Sequence, residues 1–268
     1  MREGFDALPE CTTLALRRDR EALHVTLHRP EVRNAMSLRM IEELRTVLRA
    51  VRDDRTVRTI VLRGAEGNFC AGADLKDLAV PRDAAAWADF SREVGRLVAE
   101  LEAAPQVVIA LLEGAVLGGG FGLACAADVA IAEAGARLGM PETTRGFPPA
   151  QIAPVVVRRI GLSQARRLAL LGLSIDATEA ARIGLVHQVE AGAATLERAA
   201  EAAREAVRRC APGANASTKA LLLAATREPQ EAMIERAAAA FAEAVTGEEG
   251  REGTAAFVER RPPRWTAQ

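Results

Sequence analysis

Tyrosine is absent from this 268-residue sequence, and phenylalanine and tryptophan together supply only 3% of its residues. Proteins that bind single-stranded nucleic acids stack the bases on aromatic side chains, and this composition offers no such platform. The formal net charge is -1, so the sequence has no basic excess with which to neutralise a phosphate backbone. We therefore expect no nucleic-acid partner.

Cysteine and histidine are also scarce. The few that occur are widely spaced along the chain: Cys11, Cys70, Cys125, Cys210, His24, His28 and His187. They form no C-x-x-C pair and show no spacing typical of metal ligands, so we expect no metal site and no disulfide framework. Four unpaired thiols suit a reducing compartment.

Long apolar runs are missing as well. The N-terminal stretch, MREGFDALPECTTLALRRDR, is interrupted by charges before an apolar run of signal-peptide length develops. No other stretch reaches the roughly 20 apolar residues of a membrane-spanning helix. We expect a cytoplasmic protein with no membrane association. Hydrophobic residues nevertheless make up 49% of the chain, enough for a large core without disulfides.

The first part of the sequence alternates short apolar runs with amphipathic segments. Residues 14–17 and 23–27 have the alternation of a strand hairpin, and Ser37 can cap a helix over residues 38–51. Two apolar runs, at residues 59–62 and 105–114, each lead into a glycine-rich loop and then a helix. Repeated strand–helix units of this kind predict an α/β fold with a parallel sheet.

From Ala150 onward almost every segment has the composition and periodicity of a helix. No linker rich in proline, glycine and serine separates the two parts, so we expect them to pack as one unit. The predicted division is an α/β core over residues 1–200 and a helical region over residues 201–268.

The two glycine-rich loops, GNFCAGADLKDL and VLGGGFGLACAAD, are the most informative motifs. Where a buried strand meets a helix through small residues, backbone N–H groups at the helix N-terminus are open to a ligand oxygen. Two such turns on neighbouring strands can direct two N–H groups at one oxygen, as in an oxyanion hole. The alternative is that the glycines only permit the helix to pack closely against the strand. A dinucleotide-binding fingerprint is not satisfied, because Leu123 stands where its third glycine is required.

Five segments, in their order and spacing, resemble the enoyl-CoA hydratase/isomerase (crotonase) family: HRPEVRNAMS, FCAGADLKDL, VLGGGFGLACAADVAIA, LGMPETTRGFPPA and EGTAAFVERRPP. The resemblance implies a spiral of ββα units followed by a helical trimerisation region. It further implies a homotrimer or a dimer of trimers that acts on acyl-CoA thioesters. Coenzyme A enters as part of the substrate, and no other cofactor is expected.

The same resemblance assigns roles to individual residues. The backbone N–H groups of Ala73 and Gly119 would bind the thioester carbonyl oxygen and stabilise an enolate. The positions expected to bind coenzyme A are Arg33, Ala71, Asp74, Leu75, Lys76, Phe257 and Arg260, the last two reaching a neighbouring subunit. Glu142 would be the acid–base residue.

One departure from the family pattern concerns the reaction itself. The usual hydratase holds its water between two glutamates, and here Gly122 occupies the position of the first. Two stretches, RGFPPAQIAPVVVRRIGLSQARRLALLG and RRCAPGANASTKALLLA, resemble the isohexenylglutaconyl-CoA hydratase branch of the family. That branch, with the 3-methylglutaconyl-CoA hydratases, serves acyclic terpene and leucine breakdown. Its substrates carry a second carboxylate, which Arg145 is placed to pair with.

The sequence therefore predicts an enoyl-CoA hydratase for a branched glutaconyl-CoA type of substrate. A Δ3-Δ2 enoyl-CoA isomerase is the alternative enzyme, because it needs one base and no water. A catalytically weak acyl-CoA binding protein or an RNA-binding relative is the alternative without catalysis.

Overall fold

The structure is a computed structural model that describes residues 8–267. Residues 1–7, part of the stretch on which the prediction of no leader depends, lie outside the described residues. The strands are β1 (Leu14–Asp19), β2 (Ala22–Leu27), β3 (Thr59–Gly64), β4 (Val107–Leu112), β5 (Ala115–Leu117), β6 (Val129–Glu133), β7 (Arg137–Gly139), β8 (Ser174–Asp176) and β9 (Gln188–Glu190). The helices are α1 (Leu38–Val51), α2 (Leu75–Leu78), α3 (Ala84–Glu102), α4 (Gly119–Ala126), α5 (Ala153–Leu170), α6 (Ala177–Arg182), α7 (Ala193–Arg208), α8 (Pro212–Ala225), α9 (Gln230–Thr246) and α10 (Glu248–Glu259).

The larger sheet has the strand order β1-β2-β3-β4-β6-β9. Strands β1 and β2 form the predicted antiparallel hairpin, and every later pairing in this sheet is parallel. The crossovers between parallel strands carry helices, as parallel strands require. The prediction of an α/β fold with a parallel sheet is confirmed.

Helix α1 shows how the local sequence sets one of these crossovers. Ser37 has an extended backbone, and its hydroxyl accepts a hydrogen bond from the Met40 amide at 3.2 Å, which satisfies a free amide of the first turn. The large apolar residues recur with helical spacing, and all except Leu38 in the first turn are buried. This predicted helix has the predicted bounds, Leu38–Val51.

A smaller layer of short extended segments lies beside the large sheet. It contains the sheet β5-β7-β8 and two isolated parallel bridges, Met36 with Ala73 and Cys70 with Val116. Each of the strands β2, β3, β4 and β6 is followed by one segment of this layer before the chain continues, which is the repeating unit of the spiral. Both glycine-rich turns therefore belong to this small layer.

The two faces of the large sheet pack against different helices. Alternate residues of a strand point to opposite faces, so Ile60 and Leu62 join the core with α1, α3, α4 and α5, whereas Val61 faces α7. Leu196 of α7 is completely buried in that second cluster. The predicted boundary between residues 200 and 201 falls within α7, and the division into two parts stays a prediction.

The C-terminal helices α8, α9 and α10 confirm the expected helical region. Several of their large apolar side chains are exposed, among them Phe241 and Phe257. Between residues 8 and 267, no helix combines the length and the apolar composition needed to cross a membrane.

Candidate active site

The first glycine-rich turn pairs with the segment around Met36 in the small layer. The Met36 amide donates to the Gly72 carbonyl at 2.7 Å, and the Asp74 amide donates to the Met36 carbonyl at 3.0 Å. In a parallel pairing only alternate residues bond to a given neighbour, so the N–H of Ala73, between these two, faces away from Met36. The Ala73 amide donates to no other residue in the described part of the chain.

The second turn lies against the first. Gly118 has a φ of +52° and Gly72 a φ of +95°, backbone conformations that residues with a side chain rarely adopt. A Cβ atom placed on either glycine would lie 3.6 Å from the Cα atom of the other, so the two turns are in van der Waals contact. Gly119 follows Gly118 as the first residue of α4, and between residues 8 and 267 its amide has no acceptor. Two free amides, one at a helix N-terminus, are thus carried by adjacent turns.

Glu142 is next to the point where the turns meet. It lies in a single 3-10 turn, Pro141–Arg145, and its Oε1 atom is 3.0 Å from the position of a Cβ on Gly118. Its Oε2 atom is buried and accepts no hydrogen bond from the described residues. Burial raises the pKa of the Glu142 carboxyl, while the nearby Arg145 guanidinium opposes that rise. A buried carboxyl group with a raised pKa and an oxygen that accepts no hydrogen bond from the described residues is suited to proton transfer.

One cavity of about 600 Å³ contains all three groups. Its apolar wall comes from one face of α3, where Trp87, Phe90 and Val94 follow one another at helical spacing. The rings of Trp87 and Phe90 meet edge to face with centroids 5.9 Å apart. Among the described residues that line the cavity, Glu142 is the only carboxylate and Arg145 the only cation.

The position of the missing first glutamate is filled by another side chain. A Cβ on Gly122 would lie 2.2 Å from Cγ2 of Ile152, a side chain that is only 3% exposed. Normal carbon–carbon contacts are about 3.5–4.0 Å, so a larger residue at position 122 cannot coexist with Ile152 where it stands. A second carboxylate on this wall is therefore absent for a steric reason as well as by sequence.

Some of the residues expected to bind coenzyme A line the cavity, and others do not. Ala71 and Leu75 line the cavity beside Ala73. The Asp74 carboxylate instead accepts a hydrogen bond from Arg29 at 2.8 Å and caps α2 through the Lys76 amide at 3.0 Å. It is buried by these contacts and does not line the cavity. Its role in binding stays a prediction, as do those of the other residues.

The remaining predicted binding residues lie outside the cavity wall. Arg33 and Lys76 are exposed, and the Arg33 carbonyl accepts a hydrogen bond from the Ala71 amide. Phe257 is 86% exposed on α10, and Arg260 ends that helix in the left-handed conformation. None of these four lines the cavity of this subunit.

Sequence reasoning missed several residues of the wall. Trp87 and Phe90 are rare residue types three positions apart on one helix, and that pairing was a usable signal. Ile152, Gln151 and Arg29 had no comparable signal, because their roles depend on contacts with distant parts of the chain.

Comparison with known proteins agrees with this geometry. The model of the enoyl-CoA hydratase/isomerase family matches residues 18–268. The 2,3-dehydroadipyl-CoA hydratase of Escherichia coli K12 is 34% identical over 255 residues, which are 93% of this chain and 97% of that protein. The structure of Pseudomonas aeruginosa AtuE is 58% identical with a TM-score of 0.94, covering 95% of this chain and 100% of that one. An enoyl-CoA hydratase/isomerase from Marinobacter aquaeolei is 49% identical with a TM-score of 0.92, covering 96% and 100%. These matches confirm the crotonase-like α/β fold with its helical C-terminal region.

Proposed function

This chain belongs to the enoyl-CoA hydratase/isomerase family, and from that premise we propose that it is an enoyl-CoA hydratase for a branched acyl chain with a second carboxylate. The observation that carries the proposal is the meeting of two free amides, of Ala73 and Gly119, beside Glu142 in one cavity. The thioester carbonyl oxygen accepts hydrogen bonds from both amides, and Glu142 faces the reacting carbons.

The proposed catalysis depends on where negative charge develops during the addition of water. When the oxygen of water bonds to the β-carbon, the electron pair of the double bond moves toward the thioester and forms an enolate. Both amides and the N-terminus of α4 stabilise the negative oxygen. Removal of one such donor typically lowers kcat about 10²- to 10³-fold. Glu142 accepts one proton from the attacking water and returns it to the α-carbon, which completes the addition of one water.

The substrate class rests on the other surfaces of the cavity. The wall formed by Trp87, Phe90 and Val94 suits an apolar arm of the acyl chain. Arg145 borders the same space, is exposed, and forms no ion pair with a carboxylate in the described part of the chain. A guanidinium in this position favours a substrate carboxylate. Both features support a 3-substituted glutaconyl thioester, the class suggested by the sequence resemblance.

A Δ3-Δ2 enoyl-CoA isomerase is the second candidate, and one observation favours it. The described residues contribute a single carboxylate to the cavity wall, and Ile152 occupies the space beside Gly122. One carboxylate is sufficient to move a proton between the α- and γ-carbons. A catalytically weak acyl-CoA binding protein is distinguished from both enzymes by the absence of turnover.

Assembly and location also remain proposals. The exposed apolar residues Leu222, Phe241 and Phe257 on α8–α10 support a homotrimer or a dimer of trimers. In such an assembly Phe257 and Arg260 would reach the coenzyme A bound by a neighbouring subunit. We propose that the enzyme acts in the cytoplasm.

The decisive experiment is a panel of enoyl-CoA thioesters followed by the absorbance of the conjugated thioester. The panel contains straight-chain 2-enoyl, 3-enoyl, 3-methylglutaconyl and isohexenylglutaconyl thioesters. Loss of conjugation fastest with the glutaconyl thioesters supports the proposal. Gain of conjugation from the 3-enoyl thioester supports isomerisation instead, and binding without any change in absorbance supports the binding protein.

A further inference from the structure

A hydratase with one carboxylate still needs a group that orients the attacking water. Gln151, which directly precedes Ile152 in the chain, is a polar side chain that lines the cavity. Its Nε2 atom donates a hydrogen bond to the Ser91 hydroxyl on α3 at 3.0 Å. This bond fixes the orientation of the amide, because the nitrogen is held on α3.

A glycine on α3 makes this arrangement possible. A Cβ placed on Gly95, one turn after Ser91, would lie 2.3 Å from the Gln151 Oε1 atom. Glycine weakens a helix interior, so its occurrence in the middle of α3 is explained by the space that the amide occupies. The Gln151 amide therefore lies flat against the helix in a defined position.

Gln151 and Ser91 both line the cavity, and each keeps one unused hydrogen-bonding capacity among the described residues. The Gln151 Oε1 atom accepts no hydrogen bond from the described residues, and it is not enclosed as the buried unpartnered atoms are. The Ser91 hydroxyl accepts from Gln151 and keeps its own proton available to donate. One acceptor and one donor side by side are suited to holding a single water molecule.

We propose that Gln151 and Ser91 hold the water that adds to the double bond, in the place of the second carboxylate. This inference rests on the proposed hydratase function. An amide oxygen is too weak a base to remove the proton of water, so Glu142 performs both proton transfers. The water oxygen bonds to the β-carbon while one proton moves to the Glu142 carboxylate. Glu142 then returns that proton to the α-carbon of the enolate, and the net change is the addition of one water.

The test separates water addition from proton transfer. Hydration of 3-methylglutaconyl-CoA requires the held water, whereas exchange of the α-protons of a saturated acyl-CoA in D₂O requires only the two amides and Glu142. Gln151→Met keeps the length of the side chain and removes the acceptor. We expect it to lower the hydration kcat about 10- to 100-fold and to leave the exchange rate unchanged.

Further variants distinguish a loss of water binding from a general distortion of the site. Gln151→Glu keeps an acceptor but cannot donate to Ser91, so its hydration rate is expected to lie between those of the unaltered protein and Gln151→Met, with a second ionisation in the pH profile. Gly95→Ala moves the amide while favouring the helix, so hydration is expected to fall with no loss of thermal stability. Gln188→Met, at an exposed glutamine on β9, is the matched control and is expected to change neither rate.

The outcomes are distinguishable. If the unaltered protein hydrates no thioester of the panel, the proposed function itself fails. If the unaltered protein hydrates and Gln151→Met hydrates equally well, the water-holding role is overturned. A parallel loss of hydration and exchange in Gln151→Met would also overturn it, because that pattern indicates a distorted site.

Discussion

Gly122 and Ile152 provide a test of how this cavity wall is packed. Gly122→Ala adds one methyl group, whose carbon would lie 2.2 Å from Cγ2 and 2.9 Å from Cβ of Ile152. Because carbon atoms normally approach to about 3.5–4.0 Å, the buried Ile152 side chain must shift by more than an ångström. Ile152→Ala, in contrast, removes Cγ2, the atom that overlaps most, and leaves a cavity, while the contact with Cβ at 2.9 Å remains.

The expected free energies of unfolding follow from these overlaps. Overpacking in Gly122→Ala costs about 1–3 kcal/mol, and the gain in helix propensity within α4 offsets about 0.5–1 kcal/mol of that cost. Ile152→Ala costs about 2–5 kcal/mol through lost burial and the cavity. In the Ile152→Ala background only the contact with Cβ at 2.9 Å remains, and the smaller side chain can move away from it, so Gly122→Ala is expected to cost less than it does in the unaltered protein. The coupling between the two substitutions is then about 0.5–3 kcal/mol, the range for residues in contact.

The assay is urea unfolding of the four proteins, followed by helical circular dichroism at one protein concentration. Equal slopes against urea concentration across the four proteins would show that the comparison is valid. The reasoning is refuted if the two substitutions are additive within about 0.5 kcal/mol, because residues in contact are expected to couple.

Three other substitutions test the charges of the site and the core. Glu142→Gln is expected to lower the hydration kcat about 10²- to 10⁴-fold with little change in acyl-CoA binding by calorimetry, and a matching loss of binding would contradict the role in proton transfer. Arg145→Gln removes the cation that opposes the raised pKa of Glu142, so the acid limb of the kcat/KM profile should move to higher pH; an unmoved limb would contradict this electrostatic coupling. Glu43 is buried, but hydrogen bonds from Thr13, Thr12 and Arg39 outweigh that burial and lower its pKa from 4.5 to about 2. The stabilisation that the Glu43 carboxylate supplies is present above pH 4.5 and is lost as the pH falls through 2. In urea unfolding, Glu43→Gln should therefore lower the free energy of unfolding by about 2–3 kcal/mol at pH 7 and by progressively less toward pH 2. A difference that stays constant with pH would refute this account.

Much of the fold was predictable because its signals are local. Helix α1 has apolar residues at helical spacing and the cap Ser37, and each signal acts within a few residues. The buried strands β3 and β4 are continuous apolar runs, as central parallel strands must be. Strands β5, β8 and β9 have three residues each, too few for any periodicity, and they exist only because of pairing with distant segments.

The order of residues alone was sufficient for the two glycine-rich turns and for the family. Gly72 and Gly118 have positive φ values, which glycine adopts without strain. The residue type itself therefore marks the positions of the two turns. The number of carboxylates that face the cavity depends on packing as well as on the residue type at position 122. Asp74 is turned away by Arg29, 45 positions earlier, and Ile152 fills the space that the glycine at position 122 leaves open. Such contacts join residues far apart in the chain, and no pattern of neighbouring residues encodes which of them meet.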